Sequence, residues 1–114
     1  MTLIRSSVFH NWVTALKDNQ TRAKILRAVK RLGEGNPGDS TPVGESVSEL
    51  RLHFGPGWRV YYFGHGEDLI VLLAGGNKST QSKDIVEAKL VAREFVQSRK
   101  KAEAKALKEK KNEL

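Results

Sequence analysis

Glu49-Leu-Arg-Leu-His-Phe54-Gly-Pro-Gly-Trp58-Arg-Val-Tyr-Tyr-Phe63 reads as two strands and a turn. Leu50, Leu52 and Phe54 alternate with Glu49, Arg51 and His53, while Trp58, Val60 and Tyr62 alternate with Arg59, Tyr61 and Phe63. Period-two alternation of this kind marks strands with one buried face. Gly55-Pro56-Gly57 reads as a three-residue hairpin loop, which sets Phe54 opposite Trp58. Leu52 then opposes Val60, and Leu50 opposes Tyr62, so one face is apolar. On the other face His53 opposes Arg59, Arg51 opposes Tyr61 and Glu49 opposes Phe63. Cations gathered in this way repel one another unless an anion is drawn between them, so the face is a candidate site.

Downstream, Gly64-His-Gly-Glu-Asp68 is a second turn. Leu69 to Ala74 is apolar without alternation, as in a strand covered on both faces, and is expected to be a central strand. Gly75-Gly-Asn-Lys-Ser-Thr80 leads into a helix with Ile85, Ala88, Ala92 and Phe95 as its inward stripe. Strand, glycine-rich loop and helix N-terminus together make an anion site, because unpaired N–H groups and the helix dipole point the same way. Lys78 stands in that loop. No Gly precedes it and the Gly-x-x-x-x-Gly-Lys-Ser/Thr pattern is absent, which excludes a P-loop nucleotidase.

Upstream, Phe9, Trp12, Val13 and Leu16 recur at helical spacing, with Ser7 as the expected N-cap. Ile25, Leu26, Val29 and Leu32 mark a second helix that closes at Gly33. Its other faces carry Arg22, Lys24, Arg27, Lys30 and Arg31, which suits either a solvated face or a binding face. Residues 34–46 contain two prolines and three glycines and read as loop throughout.

The chain has 114 residues, enough for one core. Its net charge is +7, but residues 99–114 hold seven of the 20 basic side chains and three of the 13 acidic ones. The body is therefore only mildly basic, and charge alone argues weakly for a polyanion partner. A domain over residues 1–97 is expected, followed by a basic extension over 98–114 that lacks an apolar stripe and is helical or disordered. There is no cysteine, which excludes disulfides, thiolate catalysis and Cys-based zinc sites. His10, His53 and His65 share no helix-face spacing, so neither a metal nor a cofactor is expected. No apolar run suits a signal peptide or a membrane span, and the expectation is a cytoplasmic protein without a membrane partner.

The hairpin, Val71-Leu-Leu-Ala-Gly-Gly-Asn-Lys-Ser-Thr-Gln81 and Asp84-Ile-Val-Glu-Ala88 together resemble the RelE/ParE superfamily of toxin–antitoxin toxins. The nearest branch is the HigB-like addiction module killer protein group. Trp12, Leu16-Lys-Asp18, Arg31-Leu32, Gly35-Asn36, Gly38-Asp39 and Pro42-Val-Gly44 fit the same pattern, so the resemblance spans about residues 5–95. It implies an α+β, RelE-like fold: two N-terminal helices on one face of a small antiparallel sheet, and a C-terminal helix near the other. It further implies a metal-independent endoribonuclease that cuts mRNA on the ribosome and is neutralised by a cognate antitoxin, through which it can meet operator DNA. The alternatives within the resemblance are a ParE-like DNA gyrase inhibitor without nuclease activity and an inactive antitoxin-binding module. Arg59 matches the arginine such enzymes place at the scissile phosphate, and Arg51 and Lys78 match further basic positions.

Cleaving RNA without a metal requires a base for the 2′-hydroxyl, cations for the phosphorane and an acid for the 5′-oxygen. Arg51, Arg59 and Lys78 suit the second task, because fixed cations are worth most where charge develops. His53, Asp84 and Glu49 are the candidates for proton transfer, since Gln81-Ser-Lys-Asp84 lacks the tyrosine or histidine common in the family. Tyr61 stacks on a base, donates a proton or packs in the sheet. The second helix, through Arg22, Lys24, Arg27, Lys30 and Arg31, and the basic tail are expected to hold RNA backbone, although the antitoxin competes for that helix.

Overall fold

The alternating stretch does form a hairpin, and it lies inside a five-stranded sheet in the computed structural model, which describes residues 1–112. The elements in chain order are β1 (Thr2–Arg5), α1 (Ser7–Ala15), α2 (Asn19–Gly33), β2 (Ser40–Gly44), β3 (Val47–Leu52), β4 (Trp58–His65), β5 (Leu69–Asn77), a 3-10 turn (Lys78–Thr80) and α3 (Gln81–Asn112). Strand order is β1-β5-β4-β3-β2. β1 runs parallel to β5 and every other pair is antiparallel.

The sheet is thus mixed and larger than the small antiparallel sheet expected. β1 has only four residues, too few for a period to show, and it pairs with a strand far along the chain, Thr2 with Leu69 and Arg5 with Leu72. β2 lies within the stretch expected to be loop throughout. Its Pro42 and Gly44 are tolerated because β2 is an edge strand, where a missing N–H donor disturbs one ladder only.

The β3–β4 register also differs from the expected one. Leu52 pairs with Trp58, Arg51 with Arg59, Leu50 with Val60 and Glu49 with Tyr61. The connection therefore spans His53 to Gly57 rather than three residues, and the pairing moves by two. A shift of two keeps every side chain on its expected face, whereas a shift of one inverts them all.

Two layers cover the sheet. On one side α1 and α2 press Phe9, Val13, Ile25, Val29 and Leu32 onto Leu50, Val60, Ile70 and Leu72. On the other, α3 sets Ala88 and Ala92 on Val47, Tyr61, Phe63, Val71 and Leu73. β5 is buried from Ile70 to Gly76, as its unbroken apolar run requires. A β-bulge opposite Tyr61–Tyr62 makes Leu73 the extra residue of β5.

Ser6, rather than Ser7, caps α1. Its hydroxyl accepts from the Phe9 N–H at 3.0 Å and donates to the Leu73 carbonyl at 2.8 Å, tying helix to sheet. Asp18 caps α2, accepting from the Gln20 N–H and the Thr21 hydroxyl, and these bonds hold its carboxyl below the usual range. The expected helix closure at Gly33 falls one residue early, since Glu34 is the C-cap.

Beyond Gln97 α3 continues without a break to Asn112. Residues 98–109 are exposed throughout. The part of the expected extension over residues 113–114 lies outside the described residues.

Candidate functional site

β3 and β4 direct Glu49, Arg51, Arg59 and Tyr61 to the α3 side of the sheet, as the alternation requires. That face is covered by α3 instead of being open. Glu49 is only 1 % exposed and Arg59 9 %. The Glu49 carboxylate sits at the middle of the group. Oε1 takes the Arg51 Nε at 3.2 Å and faces the Arg59 Nε at 3.7 Å. Oε2 accepts from the Tyr61 hydroxyl at 3.2 Å and from the Gln81 Nε2 at 2.8 Å. Arg51 also donates to the Thr41 hydroxyl at 2.7 Å, which ties the edge strand to the cluster.

A carboxylate surrounded in this way is a poor proton shuttle and a good anchor. Two guanidinium groups share the one Glu49 carboxylate oxygen, and the Arg59 Nε is buried without a hydrogen bond. Gly57, at φ 78°, lies beside the guanidinium: a Cβ there would come 3.6 Å from Arg59 Nη1 and 3.4 Å from the Lys78 Cβ. The bare backbone of Gly57 thus leaves room between the arginine and the base of the lysine. Tyr61 is fully buried, so it does not offer its ring to a base, and packing is the role it fills. Burial, then the Glu49 charge, push its hydroxyl well above the usual tyrosine value, keeping it a donor.

The glycine pair expected in a loop lies inside β5 instead, where Gly75 and Gly76 pair with Val60 and Arg59. They permit close approach on both faces. A Cβ on Gly75 would fall 2.2 Å from the Trp12 ring, and one on Gly76 would fall 1.8 Å from Asp84 Oδ2. Asp84 therefore lies over the β5 residue that pairs with Arg59, where it accepts a hydrogen bond from the Thr80 hydroxyl. The expected anion cradle is also partly filled by the chain itself: the Asn77 side chain accepts from the Ser79 N–H at 2.9 Å, and the Asn77 N–H donates to Thr80 Oγ1. Lys78 is exposed at that turn.

His53 does not join this group. It lies beyond the last β3–β4 pair, and its Nε2 is 2.6 Å from Asp39 Oδ2, with the ring largely exposed. It borders a separate cleft of about 350 Å³ between α2 and β3. Lys24, Arg27 and Arg31 line one wall of that cleft, and Ala28, Leu50, Leu52 and Phe54 supply its apolar surface. The other two expected helix cations are elsewhere. Arg22 closes α1, donating to the Val13 and Leu16 carbonyls and to Asn19, and Lys30 faces the β1 side beside Leu3 and Arg5.

Gln81 was not anticipated as part of the site, nor was the anchoring position of Glu49. A glutamate alternating with arginines in a strand signals a buried ion pair only when the opposite strand also carries a cation, as Arg59 does here. No local pattern flags Gln81, which reaches Glu49 from 32 residues away. Among the described residues no three His, Asp or Glu side chains converge to hold a metal ion, and no helix is long and apolar enough to cross a membrane.

Residues 11–96 match the family model described as phage derived protein Gp49-like (DUF891). The matched span starts inside α1 and ends in α3, so it includes Glu49, Arg51, Arg59, Lys78 and Asp84 and stops before the basic extension. An uncharacterized protein of Haemophilus influenzae is 46 % identical over 87 residues, covering 76 % of this chain and 88 % of that protein.

Proposed function

Because the chain belongs to the Gp49-like family of phage-derived proteins, and because its sheet holds an arginine at a buried carboxylate beside an exposed lysine, we propose that it is the toxin of a toxin–antitoxin pair acting on mRNA. The proposed reaction is metal-independent cleavage on the ribosome. The 2′-oxygen attacks the adjacent phosphorus, its proton passes to a base, and the 5′-oxygen leaves with a proton. The products are a 2′,3′-cyclic phosphate and a 5′-hydroxyl. Arg59 and Lys78 stabilise the phosphorane, and Glu49 positions Arg59 while Gln81 and Tyr61 hold Glu49. Electrostatic stabilisation by preorganised donors carries most of the rate in such a site.

The observation that carries this reading is the Arg59–Glu49 pair at 3.7 Å, with Arg59 Nε left without a hydrogen bond. A guanidinium fixed by one edge retains other N–H groups for a phosphate. Asp84 is the candidate proton acceptor nearest this pair, since His53 stands at the α2 cleft. A second reading has one observation in its favour: both carboxylates near Arg59 already have partners, which suits a toxin or module that binds without cutting.

One experiment separates them. The chain is induced under tight control, new mRNA 5′ ends are mapped, and gyrase supercoiling is measured in parallel. New in-frame 5′-hydroxyl ends within minutes support cleavage. Growth arrest with lost supercoiling and intact mRNA supports the gyrase reading. Neither effect, with the protein folded, supports the inactive binding module.

A further inference from the structure

β1 leaves one side of the sheet open. It is the last strand in the order β1-β5-β4-β3-β2, so its outer edge meets no ladder. The Thr2 N–H donates to the Asp68 carbonyl at 2.7 Å and the Ser6 N–H to the Leu72 carbonyl at 2.9 Å, both toward the β5 side. Backbone groups alternate along a strand, so Leu3 and Arg5 turn their N–H and C=O groups outward. The opposite edge is blunted. β2 carries Pro42, and Gly44, Glu45 and Ser46 all have positive φ where the chain turns into β3. β1 has neither proline, glycine nor bulge.

The side chains of this edge sort by face. On the α2 side Leu3 lies on the bare backbone of Gly33, where a Cβ would fall 2.8 Å from its Cδ1. A cleft of about 450 Å³ there holds Leu3, Leu26, Arg5, Lys30 and Glu34 in its wall. Arg5 and Glu34 are exposed, and among the described residues neither has an ion-pair partner. On the α3 side Ile4 is half-buried and lies outside both core clusters.

We propose that this edge is a homodimer interface, in which β1 strands of two copies pair antiparallel about a two-fold axis at Ile4. A second copy is the occupant because the edge is complementary to itself. Leu3 of one copy meets Arg5 of the other as a hydrogen-bonded pair, which uses the outward N–H and C=O of both residues, and the axis repeats the exchange. Ile4 then faces Ile4 as a non-hydrogen-bonded pair, where side chains approach most closely. Arg5 of the second copy arrives beside Leu3, and therefore beside Gly33 and Glu34. The axis makes this contact twice, so the charges left without partners in one copy pair across the junction. Two five-stranded sheets become one, and the open edge is closed. The strand is short and the interface small, so a weak dimer that depends on concentration is expected. β4 lies two strands inward from the junction, so Arg59 takes no part and the proposal does not rest on the cleavage reading.

The test follows the oligomeric state of the full chain by sedimentation velocity over roughly 1–500 µM. Amide hydrogen exchange, read by nitrogen-15 NMR at both ends of that range, locates the interface. The sedimentation coefficient should rise with concentration. Exchange of the Leu3 and Arg5 amides should slow about tenfold at the upper end, while the Thr2 and Ile4 amides, which face β5, change little. Arg5→Glu and Glu34→Arg should each weaken dimerisation about tenfold, and the double variant Arg5→Glu/Glu34→Arg should restore it to within about threefold of wild type. Both positions are exposed, so the variants are expected to fold, and their amide spectra show whether they do. Strand addition by an extended segment of another protein would leave this chain monomeric at every concentration, which overturns the proposal. A dimer that ignores both charge reversals, that the double exchange fails to restore, or whose Leu3 and Arg5 amides exchange as fast as in the monomer overturns it equally.

Discussion

Replacing Glu49 by Gln should be among the most damaging single changes at the polar face of this sheet, and the structure gives its size. The carboxylate and the Arg59 guanidinium are 2 % and 10 % exposed and 3.7 Å apart. At an effective dielectric near 20, a pair at about 4 Å interacts by roughly 4 kcal/mol. Removing one partner of a buried pair costs about 3–5 kcal/mol, because the other charge stays desolvated. Arg51, at 36 % exposure, is screened by water and adds little. Gln keeps one oxygen, which at the Oε2 position retains both the Tyr61 and the Gln81 bonds but turns the amide NH2 toward the arginines, so the Arg51 bond is lost, at about 1 kcal/mol. These effects share partners and do not add, so the expected total is about 3–4 kcal/mol, a large part of the roughly 5–15 kcal/mol that holds a domain folded. Urea unfolding followed by circular dichroism at pH 7 should show the midpoint falling by about 1.5–2 M with an unchanged slope. The double variant Glu49→Gln/Arg59→Met completes a cycle: it should be less destabilised than the sum of the single changes by about 2 kcal/mol or more. A Glu49→Gln protein within about 0.5 kcal/mol of wild type, or a coupling near zero, would refute the view that this pair organises the site.

Under the cleavage reading, Arg59→Ala should lower the rate about 10²-fold per folded molecule, equivalent to about 3 kcal/mol of transition-state stabilisation, with the folded fraction read by circular dichroism because the change also breaks the buried pair. Arg59→Lys should recover only part of the rate, because an ammonium lacks the planar fork, and mapping of mRNA 5′ ends reads both. Ending the chain at Gln97 should change stability by no more than about 0.5 kcal/mol, since residues 98–109 are exposed; a larger loss in urea unfolding would contradict that. Glu45 is held below the ordinary glutamate value of 4.5 by its bonds to Arg93, so its contribution is present above that pH and fades as the pH falls through the lowered value. The stability gap between wild type and Glu45→Gln should therefore close on acidification below about pH 4.5, and a gap that persists at pH 2 would show that the pair is not its source.

How much was legible in the sequence follows from which interactions are local. Alternation along Glu49–Phe63 places the paired side chains on their observed faces even though the connection is longer than three residues, because the register differs by an even number; His53, beyond the last pair, is the exception. Leu69 to Ala74 read as an interior strand since apolar residues on both faces need cover on both sides. The edge strands did not show: four residues of β1 are too short for a period, and Pro42 and Gly44 give β2 the chemistry of a turn. Gly75-Gly76 was ambiguous for a physical reason. Glycine serves equally as a loop residue and as a place where two layers close on a strand, and only the positions of Trp12 and Asp84 decide between them. His53 was assigned a neighbour by register alone, and the two-residue shift left it with Asp39 instead.

Strand β3 connects the two charged regions. Its even positions, Leu50 and Leu52, face the α2 cleft, and its odd positions, Glu49 and Arg51, face α3. Arg51 touches both sides: its amide donates to the Asp39 carbonyl at 2.9 Å, and its guanidinium reaches Glu49 at 3.2 Å. A change in the cleft lies against the Asp39–His53 pair without touching Arg59, which is on the far face of the sheet, and so acts on Arg59 only by moving β3. The backbone of that strand is fixed by ladders to both β2 and β4, and packed layers of this kind resist small continuous displacement. Reversing an exposed charge of the cleft wall by Arg27→Glu should then leave the Arg59–Glu49 pair intact, so the coupling from the Glu49→Gln/Arg59→Met cycle should be unchanged within about 0.5 kcal/mol in that background. A coupling that falls by half would mean that β3 transmits between the faces, and that the two regions work as one.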